Sequence, residues 1–193
     1  MPRTAPRRSP WRSASVYSVG LAFVLAGITL GWIDAIGGLD ALQLQFGAWA
    51  PLLVAPAHLL VTITPIGEFV PWGWANGALF GTATGALLNG CVWISASLVH
   101  YAFGRRMARD FDFNRRADKL PAWLRRFPVD HPIFLICGRW FPMGSLLANT
   151  AAGTARVPLR RFVTCIVIGT IPQALLIAGG GAQLIRLFQW VIG

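Results

Sequence analysis

Apolar residues run nearly unbroken through five stretches of this chain, 15–33, 46–66, 74–103, 132–152 and 158–181. Each is close to the about 20 residues that carry a helix across a hydrocarbon core. The pattern predicts an all-α integral membrane protein, but not five equal spans. Pro51, Pro56, Pro65 and Pro71, with Gly67 and Gly73, interrupt the second stretch, and Pro142 with Gly144 interrupts the fourth. Such broken backbone is tolerated at membrane depth where it packs in protein or lines a wet cavity.

Charge decides between spans and hairpins. Of 17 basic residues, none lies between Leu30 and Gly104; the positives collect at Arg3–Arg12, Arg105–Arg126 and Arg156–Arg161. Five plain spans would put the second block on the opposite side from the first, against the preference of Lys and Arg for the cytoplasmic side. All three blocks share one side if the second and fourth stretches turn back on themselves. The expected architecture is therefore three full transmembrane helices plus two opposed re-entrant helical hairpins. In order, it has a cytoplasmic basic tail 1–14, first helix 15–33, hairpin 46–73, helix 74–103, cytoplasmic basic segment 105–130, hairpin 132–153, helix 158–181 and a tail 182–193. The first helix reads as an uncleaved signal anchor, because no cleavage site and polar mature domain follow it.

The two hairpins resemble each other. Glu68-Phe69-Val70-Pro71-Trp72-Gly73, followed by Ala75-Asn76 and Gly81, parallels Arg139-Trp140-Phe141-Pro142-Met143-Gly144, followed by Ala148-Asn149 and Gly153. With opposite entry sides, the match reads as an inverted repeat of the kind that builds a midplane transport site from half-helices. Gly77, Gly81 and Gly85, four residues apart, predict a bare helix face for close packing, and a second copy is one partner such a face admits.

Composition narrows the function classes. A chain 55% hydrophobic and 12% charged cannot cover itself with polar surface. Its arginines sit in topology blocks rather than in a stripe, which speaks against nucleic acid. Cys91, Cys137 and Cys165 lie far apart in apolar runs, without metal-ligand spacing, and read as buried structural thiols with no metal or cofactor implied. No nucleophile elbow, HExxH motif, P-loop or dinucleotide fingerprint is present, so an enzyme reading has little to stand on. The aromatic and basic segment Arg105–Phe127 fits either short helices on an anionic lipid surface or a solvated loop.

Each proline-broken segment holds one formal charge, Glu68 in the first and Arg139 in the second, both three residues before a proline. Intramembrane charges are costly and usually pair or line a polar path. Glu68 and Arg139 are therefore expected to approach near mid-depth, with Arg139 able to hold a phosphate while Glu68 takes a proton. Asn76 and Asn149 serve either the loose hairpin backbone or the ligand. His58 and His100 read as packing histidines.

These residues resemble the DedA (SNARE-associated, VTT-domain) membrane protein family. The likeness runs from Ala50 to Gly181, and Arg139 to Pro142 with downstream Asn149 and Gly153 is its most specific part. The resemblance implies two opposed re-entrant hairpins and movement of phospholipid or polyprenyl-phosphate headgroups between leaflets of a bacterial-type inner membrane, with a cytoplasmic N-terminus. Many members carry a further acid about a dozen residues before the first and a second arginine six after Arg139; here those places are Pro56 and Ser145. This departure points away from proton coupling and toward a looser, scramblase-like activity. Ser145 is kept as a headgroup contact, protons as an optional second partner. The alternatives are a proton-coupled small-solute exporter and a non-transporting membrane scaffold.

Overall fold

A computed structural model of the chain describes residues 24, 28, 31, 32, 34–64, 70–110, 128–141 and 144–192. The basic tail, most of the first helix, Pro65, Gly67, Glu68, Pro142 and 111–127 of the basic segment lie outside the described residues. The elements are α1 (Gly38–Phe46), a 3-10 turn (Gly47–Trp49), α2 (Ala50–Ile63), α3 (Val70–Asp110), α4 (Pro132–Cys137), a 3-10 turn (Gly138–Trp140), α5 (Gly144–Thr154) and α6 (Leu159–Ile192).

Three helical runs are long and apolar enough to cross a membrane, Ala41–Ile63, Pro71–Arg109 and Leu159–Leu184. Together with outward-facing Leu44, Trp49, Leu52, Leu87, Leu147 and Leu176, they give a multi-pass membrane protein whose outer surface is apolar. Against lipid there is little hydrophobic drive to bring helices together, so close packing and internal hydrogen bonds must do so.

α3 is not one rod. Gly81 has φ 78 and ψ 169, non-helical values inside the run. That region of backbone space is open essentially to glycine alone. The chain folds back there: a Cβ on Gly85 would lie 2.7 Å from the Asn76 carbonyl oxygen, and Asn89 donates to the Gly73 carbonyl at 3.0 Å. A first arm, 70–80, thus lies antiparallel to a second arm, 82–110. Expected glycine packing along one face of a continuous helix is corrected accordingly. Gly81 is the turn, while Gly77 and Gly85 face each other across it, and Gly77 also meets the backbone of Ala178. At 1.5 Å per residue the first arm is about 16 Å long, roughly half a hydrocarbon core, and the second is about 43 Å.

α2 ends inside the bundle, where its last carbonyls need partners. Thr62 Oγ1 donates to His58 O at 2.8 Å, Thr64 Oγ1 to Val61 O at 2.7 Å, and His100 Nε2 lies 3.1 Å from Ile63 O. Thr64 is extended, as a residue before proline must be.

In the second half, Pro132 opens α4 behind His131, whose ring accepts from the Ile133 N–H. Phe141, before Pro142, is again extended. The chain then reverses, because Gly144 packs directly on the Gly138 carbonyl. α5 closes with Val157 N–H on Ala152 O at 3.0 Å and Arg156 N–H on Gly153 O at 3.1 Å. This is a Schellman cap, but its left-handed position is held by Arg156 at φ 56 where glycine is usual.

α6 runs antiparallel to the second arm. Gly179 is near Thr82, Ala174 and Ala178 pack with Ala86, and Tyr101 stacks on Phe162 with centroids 4.5 Å apart. One end of the bundle therefore carries Arg105 and Arg106 from α3 with Arg156, Arg160 and Arg161 from the α5–α6 corner. Two expectations are corrected. Residues 182–192 continue α6 and do not form a separate tail. Of the three cysteines, Cys165 is buried while Cys91 and Cys137 are exposed.

Candidate functional site

Two polar centres lie inside this apolar bundle. The first joins α2 to both arms of α3. Asn89 Nδ2 donates to Gly73 O at 3.0 Å, so Asn89 must turn its Oδ1 toward Asn76, which donates to it at 2.7 Å. The same Asn76 nitrogen lies 3.1 Å from His58 Nδ1. With the amide orientation fixed from the Gly73 carbonyl onward, Nδ1 accepts and the His58 ring carries its proton on Nε2. His58 is buried, stacked on Trp72 at 5.7 Å and edge-on to Trp93 at 6.4 Å.

The second centre is built around Arg139, only 3% exposed although Trp140 beside it is 49% exposed. Its Nη1 donates to Ser97 Oγ at 3.1 Å and to Asn149 Oδ1 at 3.3 Å, and its backbone carbonyl accepts from Gln173 Nε2 at 3.3 Å. The stem passes Gly169, where an added Cβ would come within 3.1 Å of Arg139 Cδ. Helices α3 and α5 thus meet the guanidinium, and α6 meets the stem and backbone of the same residue. Ser97 lies eight residues before Arg105, and Gly169 ten after Leu159, so Arg139 sits about 12–15 Å inward from the arginine-rich end. That distance is about half the thickness of a hydrocarbon core of some 30 Å.

Three buried polar atoms in this part of the bundle have no hydrogen-bond partner among the described residues: Asn149 Nδ2, His100 Nδ1 and Thr170 Oγ1. Buried groups of this kind mark places for water or ligand. No three of His, Cys, Asp and Glu come together among the described residues to hold a metal ion.

Of the residues singled out from sequence, Arg139 and Asn149 meet. Asn76 does not join them; it belongs to the His58 centre, and Asn89 lies eight residues before Ser97, about 12 Å along the helix. Ser145 is part-exposed in the first turn of α5 and Pro71 exposed in that of α3. Gly73 fits against Ile177 and Trp93, and Gly153 against the Tyr101 carbonyl. Sequence reasoning missed Ser97, Asn89, Gln173 and Thr170. Asn89, Ser97 and His100 recur at helical spacing within an apolar run, which is the available signal.

Three helical runs of spanning length and a buried arginine among them define a multi-pass membrane protein with a polar interior. A family model for the VTT domain matches residues 67–183, and the chain belongs to that family. It is 25% identical over 171 residues to the uncharacterised protein YqeD of Bacillus subtilis (strain 168), covering 86% of this chain and 80% of that protein. No solved structure matches the chain.

Proposed function

We propose that this protein moves phospholipid or polyprenyl-phosphate headgroups between leaflets, with Arg139 as the phosphate-binding group. The observation that carries the reading is a buried guanidinium beside an amide, Asn149 Nδ2, that has no acceptor among the described residues. A planar fork with a neighbouring N–H donor suits a phosphate.

Two features support an inverted pair of re-entrant hairpins. Each half consists of a broken entry, a short helix of about 16 Å, a left-handed corner at Gly81 or Arg156, and a long helix. The two long helices are antiparallel, and the corners lie at opposite ends of the bundle, as alternating access about a central site requires. With the arginine-rich end cytoplasmic, as in a bacterial-type inner membrane, the first hairpin enters from outside and the second from inside.

Glu68 is the proposed counter-charge to Arg139. Its flanks are held at His100, through Ile63, and at Asn89, through Gly73; these positions bracket Ser97, the partner of Arg139. A headgroup phosphate then competes with Glu68 for the guanidinium and leaves the carboxylate able to take a proton.

The test is purified protein in liposomes with fluorescent lipid in both leaflets. The dithionite-accessible fraction should exceed that of empty liposomes, and Arg139→Gln should return it to the empty value. No excess with the wild type would favour a scaffold, and a solute-driven internal pH change would favour an exporter.

A further inference from the structure

His100 joins the end of α2 to the Arg139 centre. Its Nε2 lies 3.1 Å from the Ile63 carbonyl oxygen, and a carbonyl only accepts, so Nε2 carries the proton. The Nδ1 of the neutral ring then holds a lone pair. That atom is buried and has no partner among the described residues. One turn earlier on the same helix, Ser97 accepts from Arg139, and the guanidinium is near enough to act electrostatically on the His100 ring.

A buried acceptor left unsatisfied is costly, so Nδ1 marks a position for a hydrogen-bond donor. The groups around Ser97 have the opposite polarity: Arg139 donates, and Asn149 Nδ2 is a donor with no acceptor among the described residues. A ligand that satisfies both kinds of group carries both anionic oxygens and an N–H or O–H. We propose that His100 is a specificity-determining residue of the headgroup site, selecting phospholipids whose headgroup bears a hydrogen-bond donor over those that bear none. The proposal rests on Arg139 as the phosphate site and adds the acceptor that reads the rest of the headgroup.

The test uses the full chain in liposomes and a series of tail-labelled lipids with ethanolamine, monomethyl-, dimethylethanolamine and choline headgroups. All carry the same phosphate and a cationic nitrogen; the N–H donors fall from three to none. The wild type should move the first three at similar rates and choline about tenfold more slowly, a factor in keeping with one buried hydrogen bond. His100→Gln keeps an N–H for the Ile63 carbonyl but removes the acceptor at the Nδ1 position, and should bring the ratio to about one. His100→Asn places an amide oxygen near Nδ1 and should keep it. Four equal wild-type rates would mean that Nδ1 is served by water alone and would overturn the specificity while leaving the phosphate reading standing. A decline with each added methyl would assign the selection to size and overturn it too, as would an unchanged ratio in His100→Gln. Movement of none of the four lipids would overturn the specificity together with the phospholipid form of the proposed function.

Discussion

Asn89 Nδ2 donates to the carbonyl of Gly73 at 3.0 Å, and that one bond sets the direction of every other bond in the His58 centre. Because a carbonyl cannot donate, Asn89 has one usable orientation, Asn76 has one in turn, and His58 is left with a single tautomer.

Breaking this chain at its origin should therefore cost more than one hydrogen bond. Asn89→Leu is expected to lower stability by about 1–2 kcal/mol, above the roughly 0.6 kcal/mol average for interhelical bonds in membranes. Asn76→Leu should then add little in the Asn89→Leu background. Unfolding in mild detergent for the four members of the cycle measures this; full additivity would show that the bonds act separately.

Close approaches at glycine predict a contrast. Gly77→Ala drives a methyl into the Ala178 backbone, and neither partner has a side chain that can swing away, so a loss of about 1–3 kcal/mol is expected. At Gly90 nothing lies within 4 Å of an added Cβ, and Gly90→Ala should be neutral or stabilising by about 0.4–1 kcal/mol. Melting temperatures in detergent decide it.

The two corners should respond in opposite directions. Gly81→Ala meets open space but a glycine-only backbone region, and should destabilise by about 1–3 kcal/mol through strain alone. Arg156→Gly removes a side chain from a left-handed residue and should stabilise by up to about 1 kcal/mol. The same melting assay reads both.

At the guanidinium, shape should count beside charge. Arg139→Lys keeps the positive charge but not the fork that donates to Ser97 and Asn149. Lipid movement in liposomes should fall at least about tenfold, with the melting temperature changing by only a few degrees. Lysine at wild-type rate would assign Arg139 a purely electrostatic role.

Much of this arrangement was legible in the sequence, and the exceptions have physical reasons. Membrane class follows from five apolar runs, and Arg139 stood out because it is the one formal charge in its segment. Gly81 was misread because a four-residue glycine spacing looks the same whether the middle glycine packs a helix or ends it; only its φ distinguishes them. The continuation of α6 was missed because Gln183, Arg186 and Gln189 lower the local hydropathy, although Leu184, Ile185, Leu187 and Phe188 between them keep the run apolar. Ser97 and Gln173 were overlooked because a small or neutral polar residue barely lowers the hydropathy of a long helix. Their importance comes from Arg139, more than thirty residues away from each.

Gly77 lies against the Cα of Gly85 on one side and the backbone of Ala178 on the other, so three helical segments touch there with no side chain between them. Such a contact has no rotamer to change and no gap to close. The separation of the three segments at that point is therefore set by backbone alone, and any side chain introduced there has to push against two neighbours at once.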